Sequence, residues 1–153
     1  MPDSYSQIYV QIVMAVKQRK AQITIRWEDQ LYKFITGLVQ NKGHKMLAIN
    51  GMPDHIHIFI GMNPECRLSD LVREIKKSSN SFVNRNNFTE ERFYWQSGYG
   101  AFSYSHSQLS RVINYIGRQK DHHLNRNTKD EYVQFLNRYE IKYKEKNLFN
   151  WID

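Results

Sequence analysis

The chain has 153 residues and a mass of 18.4 kDa, and its 22 basic and 15 acidic side chains give a formal net charge of +7. A hydrophobic content of 41% excludes intrinsic disorder, and the single cysteine, Cys66, excludes an intramolecular disulfide and a cysteine-based zinc site. No long apolar run or signal-peptide pattern is present, so we expect a cytoplasmic protein without a membrane partner. The charge favours a polyanionic partner, with nucleic acid first.

The positive charge is unevenly distributed along the chain. It is concentrated in residues 1–26 and 67–128, whereas 27–66 and the tail are close to neutral. This distribution predicts basic walls around a less charged centre. No linker or repeat divides the sequence, so we expect a single domain over residues 1–153.

The first four predicted elements are a strand, a helix and two further strands. β-Branched and aromatic residues dominate 5–16 and predict a long strand. Apolar residues recur at helical spacing over 27–39, and Gly43 is suited to end that helix. Residues 45–50 and 55–61 are strand-like and flank the turn sequence GMPD, which predicts a hairpin.

The second half of the chain adds a helix, a strand and further helices. The apolar residues of 68–82 share one helical face, and 99–104 predicts a strand. A helix over 107–122 carries an i, i+3, i+4, i+7 apolar stripe, and a last amphipathic helix runs from about Asp130 to Lys146.

The order of these elements predicts the fold class. Its first six members match a ferredoxin-like split β-α-β unit, which belongs to the α+β class. We therefore expect an RRM-like antiparallel sheet with two helices packed on one face, followed by a C-terminal helical extension. The other face of the sheet is expected to be open for a functional site.

Two histidines lie on the second strand of the predicted hairpin. His55 and His57 alternate with isoleucines, so both imidazoles are expected to project from one face of the sheet. Two neutral imidazoles so placed can bind one divalent ion, but a third ligand must come from elsewhere. The side chain of Asp54 is expected to point away from the pair if the strand is already regular at that residue.

The helix over 107–122 offers a candidate third ligand. Tyr115, Gln119 and His122 form a second stripe beside the apolar one, bordered by Arg111 and Arg118. The amide oxygen of Gln119 could complete a ligand set with the two histidines. Tyr115 would then lie one turn from the metal and could attack a phosphate. Spacing alone leaves two structural alternatives open: an incidental histidine pair and a half-buried packing tyrosine.

The residues resemble a known family over nearly the whole chain. Four segments carry the resemblance: GMPDHIHIFI, NYIGRQKDHH, LSDLVREIKKSSNSF and FYWQSGYGAF. The first contains a histidine–hydrophobe–histidine core, and the second contains a Tyr-x-x-x-Gln motif about sixty residues later. In this order they are similar to the single-tyrosine transposases of the HUH nuclease superfamily, which minimal bacterial insertion sequences encode.

This resemblance implies a mechanism and a metal. Tyr115 would be the nucleophile that attacks a DNA phosphodiester, forming a 5′-phosphotyrosine link and a free 3′-hydroxyl before strands are rejoined. His55, His57 and Gln119 would bind Mg²⁺ or Mn²⁺. All four motif positions are intact. His122 and His123 match a frequent feature of the family but have no predicted role.

The resemblance also implies partners. The substrate would be single-stranded DNA, with hairpins near the ends of the mobile element, inside the bacterial cytoplasm. Family members work as homodimers, and in some of them the tyrosine helix serves the partner subunit's histidine pair.

We predict DNA contacts at basic residues of the second helix and of the helix over 107–122, which carries Tyr115. These are Arg73, Lys76, Lys77, Arg111 and Arg118.

Three other interpretations remain to be weighed. A histidine-triad nucleotide hydrolase also contains alternating histidines, but Phe59 stands where its third histidine would be. A non-catalytic nucleic-acid-binding module of the same topology would explain the charge and the tyrosines but not the four-residue set. An inactive or domesticated transposase would fit poorly with four intact motif residues.

Overall fold

The computed structural model describes residues 3–17, 22–122, 128–144 and 148–149. A four-stranded antiparallel sheet has the order β2-β3-β1-β4, which confirms the ferredoxin-like prediction. Its strands are β1 (Tyr9–Ala15), β2 (Lys45–Met52), β3 (His55–Gly61) and β4 (Gly100–Tyr104). The helices are α1 (Glu28–Asn41), α2 (Leu68–Arg85), α3 (Leu109–Gly117), α4 (Gln119–His122) and α5 (Thr128–Arg138).

One face of the sheet carries the main hydrophobic core. Ile56, Ile58 and Ile60 of β3 are fully buried there against α1 and α2, as the alternation on β3 predicts. Burying each such side chain contributes about 1.5–3 kcal/mol, so this face fixes the direction of every residue on β3. The histidines must therefore emerge on the opposite face.

The opposite face is not left open, which corrects the prediction. Val112 and Ile116 of α3 pack on Phe59 of β3, while Phe135 and Leu136 of α5 belong to a cluster over β1 and β4. The expectation of an open face fails because the C-terminal helix has its own apolar stripe, which folds back on the sheet. Helices α3 and α5 consequently cover the candidate functional site.

The predicted helix over 107–122 is divided in two. A 3₁₀ turn over His106–Gln108 leads into α3, which ends at Gly117, and α4 begins at Gln119. Glycine weakens a helix interior, and the carbonyl oxygen of Gly117 accepts a hydrogen bond of 3.2 Å from the side chain of Asn50. This hydrogen bond at the break therefore attaches the end of α3 to β2.

The last helix is shorter than predicted. It ends at Arg138, and Glu140 follows with a positive φ of 54°. The backbone N–H of Ile141 donates to the carbonyl oxygen of Leu136 at 2.9 Å, which closes a Schellman motif. Part of the predicted extension, over 145–147, lies outside the described residues.

The first strand is also shorter than the predicted range 5–16. Tyr9 pairs with Gly61 on one side and with Tyr104 on the other, and both neighbouring strands end there. Only the carbonyl oxygen of Ile8 continues this pairing among the described residues before Tyr9, accepting a hydrogen bond of 2.7 Å from the backbone N–H of Met62, so β1 begins at Tyr9. Among the described helices, none combines the length and apolar character needed to cross a bilayer.

Gly51 tests the hairpin that places the histidines. A Cβ atom at this position would overlap the carbonyl oxygen of His55 and lie 2.9 Å from the Cα atom of Ile56. We expect Gly51→Ala to lower the free energy of unfolding by about 1–3 kcal/mol, measured by urea titration, because backbone must shift to admit the methyl group.

Gly37→Ala is the matched control for that variant. Gly37 lies inside α1, and nothing stands within 4 Å of its added Cβ. Its free energy of unfolding should rise by about 0.5–1 kcal/mol, since alanine favours a helix. Equal effects at both positions would contradict the close approach at Gly51.

Candidate active site

The histidine pair lies on the face of the sheet that α3 and α5 cover, as the alternation predicts. His55 and His57 are 1% and 0% exposed, and their ring centroids are 5.1 Å apart. Buried imidazoles need hydrogen-bond partners, because an unpaired buried polar group costs about 1–3 kcal/mol. Each ring has one partner at Nδ1 and further partners at Nε2.

The Nδ1 partners orient both rings. Asp54 Oδ1 lies 2.8 Å from His55 Nδ1, and Gln11 Oε1 lies 2.6 Å from His57 Nδ1. Asp54 is expected to point away from the pair only on a regular strand, and that condition is not met, because β3 begins at His55 and Asp54 lies in the preceding turn. With Nδ1–H donated to these oxygens, the Nε2 atom of each ring faces the centre of the site.

A glutamate that sequence reasoning missed lies at that centre. Glu131 of α5 is 2% exposed, and its Oε1 atom is 3.0 Å from His57 Nε2 and 3.3 Å from His55 Nε2. The sequence offers one weak signal for it. Glu131 lies one turn before Phe135 on the apolar side of an amphipathic helix, where a carboxylate is unusual.

Gln119 lies where the predicted ligand set requires it. Its side chain is fully buried, and its Oε1 atom is 3.3 Å from His55 Nε2. Its Nε2 atom donates to Glu131 Oε2 at 3.3 Å. The structure therefore brings the two histidines, the glutamine and the unpredicted glutamate into one buried cluster.

Tyr115 reaches the same cluster from α3. Its hydroxyl group donates a hydrogen bond to Glu131 Oε2, and its half-buried ring stands edge-on to His57 with centroids 6.2 Å apart. Phe135 also stands edge-on to this ring, with centroids 5.8 Å apart. One carboxylate thus contacts both the tyrosine hydroxyl and the histidine nitrogens.

This donor set fits a divalent cation. One ligand atom each from His55, His57 and Glu131 lies within 4.8 Å of the others, and the amide oxygen of Gln119 is adjacent. Two imidazole nitrogens with carboxylate and amide oxygens suit ions such as Mg²⁺ and Mn²⁺. The hydrogen bonds at both Nδ1 atoms supply the outer support that metal-binding histidines usually have.

The cluster alters the protonation of His55. Burial alone lowers the pKa of this imidazole, but hydrogen bonds and charge from Asp54 and Glu131 outweigh burial and raise the pKa to about 9. Without a metal, the imidazolium form is favoured by the two carboxylates on either side of the ring. A cation at Nε2 would take the place of that proton.

The predicted DNA-contact residues fall into two groups. Arg111 and Arg118 are exposed beside the site, on α3 and at the break that follows it. Arg73 and Lys77 are exposed on α2, which packs on the opposite face of the sheet. The structure therefore brings only the first group near Tyr115.

Lys76 has a specific structural role. Its Nζ atom donates to the carbonyl oxygens of Gln96 and Gly98 at 2.8 and 2.6 Å, just before β4. Burial lowers the pKa of this amino group.

His122 ends α4, and His123 lies outside the described residues.

Comparison with known proteins shows which class of protein has this sheet together with a histidine pair and a tyrosine on a helix. Residues 4–119 match the family described as "Transposase IS200 like", and the chain belongs to this family of DNA transposases. The match ends at Gln119, so α5 and Glu131 lie beyond it.

Individual relatives agree with the family. The ISDra2 transposase TnpA of Deinococcus radiodurans is 22% identical over 120 residues, which cover 75% of this chain and 86% of that protein. Two solved structures share the fold. A Deinococcus radiodurans protein assigned to the transposases has a TM-score of 0.61 at 19% identity, covering 78% of this chain and 96% of that chain. The REP-associated tyrosine transposase, bound to a REP hairpin, has a TM-score of 0.57 at 16% identity, covering 77% and 70%.

The raised pKa of His55 predicts a pH-dependent stability in chelator. In the folded chain, His55 keeps its proton up to about pH 9, whereas in the unfolded chain it releases that proton near pH 6.5. This contribution to stability is complete below pH 6.5 and is lost as the pH rises to about 9, on the order of 3 kcal/mol in total. Urea unfolding of the wild type and of His55→Gln across this range isolates it. A difference between the two proteins that grows with pH would contradict the assignment.

Metal binding should depend on Glu131 as well as on the histidines. Mn²⁺ binding can be measured by calorimetry. We expect His57→Ala to abolish this binding and Glu131→Gln to weaken the affinity at least about tenfold. Glu65→Gln, an exposed site with the same charge change, is the control and should bind like the wild type. Unchanged affinity in Glu131→Gln, with a large loss in Gln119→Ala, would show that the glutamine is the third ligand instead.

Proposed function

We propose that this transposase acts on single-stranded DNA by metal-dependent transesterification, with Tyr115 as the nucleophile. One observation carries the proposal: the Tyr115 hydroxyl and the Nε2 atoms of both histidines meet on a single carboxylate, that of Glu131. A cation held by His55, His57 and Glu131 would therefore stand next to the Tyr115 hydroxyl, where its charge can hold a scissile phosphate beside the nucleophile.

The protein groups divide the reaction between them. The oxygen atom of Tyr115 bonds to phosphorus, the bond from phosphorus to the 3′-oxygen breaks, and the 5′-phosphate stays on the tyrosine. The proton of Tyr115 passes to Glu131 Oε2 and on to solvent, and the departing 3′-oxygen takes up a proton from solvent and leaves as a hydroxyl. Attack by a 3′-hydroxyl on the phosphotyrosine reverses these steps and rejoins strands.

The remaining cluster holds the metal and keeps its ligands aligned. His55, His57 and Glu131 would hold the cation, with Gln119 beside them. A bound Mg²⁺ or Mn²⁺ supplies positive charge that neutralises the phosphate and stabilises the departing oxygen. Asp54 and Gln11 fix the rings through Nδ1, so that both Nε2 atoms point inward.

Within one chain, Tyr115 and both histidines contact the same carboxylate. The predicted homodimer, hairpin recognition and bacterial cytoplasmic location remain predictions. The hairpin-bound relative supports a DNA hairpin as the partner to test first.

Adduct formation tests the nucleophile. Single-stranded oligonucleotides that tile the DNA flanking the gene are incubated with the protein and Mg²⁺ and separated on a denaturing gel. The wild type should form a covalent adduct that EDTA prevents, and His55→Ala should reduce it to background. Tyr115→Phe should form none, because the attacking oxygen is missing.

Tyr5→Phe is the matched control, since Tyr5 is 90% exposed and remote from the site. It should form adduct at the wild-type level. An adduct that persists in Tyr115→Phe would overturn the nucleophile assignment. DNA binding without any cleavage by the wild type would favour the non-catalytic module.

A further inference from the structure

A cavity of about 420 Å³ opens beside Tyr115, between α3, α5 and the sheet. Tyr115 and Glu131 both line it, so the cavity begins where the proposed reaction takes place. Its volume is in the range of pockets that take small molecules of nucleotide size. Neither the metal cluster nor the nucleophile requires this additional space.

The two helices line the cavity with matching residue types. Each presents positions i, i+3 and i+7, which lie on one helical face. Each set contains one amide side chain, one arginine and one residue of the active site. The sets are Gln108, Arg111 and Tyr115 on one side and Glu131, Gln134 and Arg138 on the other.

Aromatic rings complete the walls. Tyr104 and Tyr139 meet edge-to-face with centroids 5.9 Å apart, and Phe135 lies under the guanidinium group of Arg138 at 5.9 Å. Aromatic faces stack on nucleobases, arginines pair with phosphates, and amides can hydrogen-bond to base edges. A bare anion would not need the rings, and an apolar ligand would not need the arginines. Together they fit a nucleotide.

One wall of the cavity is linked to a metal ligand. The hydroxyl group of Tyr104 accepts a hydrogen bond of 2.7 Å from Gln11 Nε2, and Gln11 Oε1 contacts His57 Nδ1 at 2.6 Å. Gln11 is fully buried, so this link is rigid. A ligand against Tyr104 is therefore two hydrogen bonds from the histidine that holds the cation.

We infer that this cavity binds the unpaired nucleotide adjacent to the phosphodiester that Tyr115 attacks, an inference that rests on the proposed function. The base lies against Tyr104, Phe135 and Tyr139, and flanking phosphates pair with Arg111 and Arg138. A base inside a duplex is already stacked and paired and does not enter such a cavity. The cavity therefore selects single-stranded DNA at the cleavage point.

Photocrosslinking of the full chain tests this inference. Single-stranded oligonucleotides carry one 5-iododeoxyuridine at successive positions, and irradiated complexes are digested for peptide mapping by mass spectrometry. We expect crosslinks at Tyr104, Phe135 or Tyr139. Arg138→Ala, an exposed position, should lower the yield about tenfold, whereas Arg85→Ala should not change it. Arg85 is an exposed arginine on α2, across the sheet from the cavity.

The outcomes separate this inference from the proposed function. Crosslinks confined to other surfaces, no crosslinks at all, or equal yields in Arg138→Ala and Arg85→Ala would each overturn the nucleotide subsite. Adduct formation on Tyr115 would still stand in those cases. Conversely, crosslinks in the cavity without any adduct would support the subsite as a single-strand binding site and overturn the nucleophile.

Discussion

The buried carboxylate of Glu131 is the contact on which the site depends. A lone carboxylate in a protein interior is costly, and here its charge is compensated by His55, His57 and the hydroxyl group of Tyr115. Side chains from β3, α3 and α5 meet on this one group. Removing it would leave two buried imidazoles facing one another without their shared acceptor.

The sheet explains why these groups can meet. Isoleucines on one face of β3 lock the strand against α1 and α2, so its histidines have one available direction. At the hairpin end, Gly51 allows β2 to approach the carbonyl oxygen of His55, and Asp54 in the turn contacts His55 Nδ1. Rigid elements thus carry the proposed nucleophile and the proposed metal ligands, which is what a reaction sensitive to small displacements requires.

Local periodicity predicted the part of the structure that local contacts determine. The alternation around His55 and His57 put both rings on the face of the sheet where they lie, and helical spacing put Tyr115 and Gln119 on one side of a segment that the structure divides into α3 and α4. Glu131 was missed because its role depends on α5 folding back over the sheet, a long-range contact that no local spacing encodes. The break at Arg118 was missed for the same reason, since Asn50 of a distant strand satisfies the carbonyl group before it.

The central claim is that Tyr115 carries the DNA during the reaction. Its most direct test is mass spectrometry of the protein after incubation with single-stranded DNA and Mg²⁺ and digestion of the bound DNA to a single nucleotide. We expect a nucleotide linked through its 5′-phosphate to the peptide that contains Tyr115, located on the tyrosine itself. Cleaved DNA with the nucleotide on another residue, or with no protein-linked nucleotide, would contradict it.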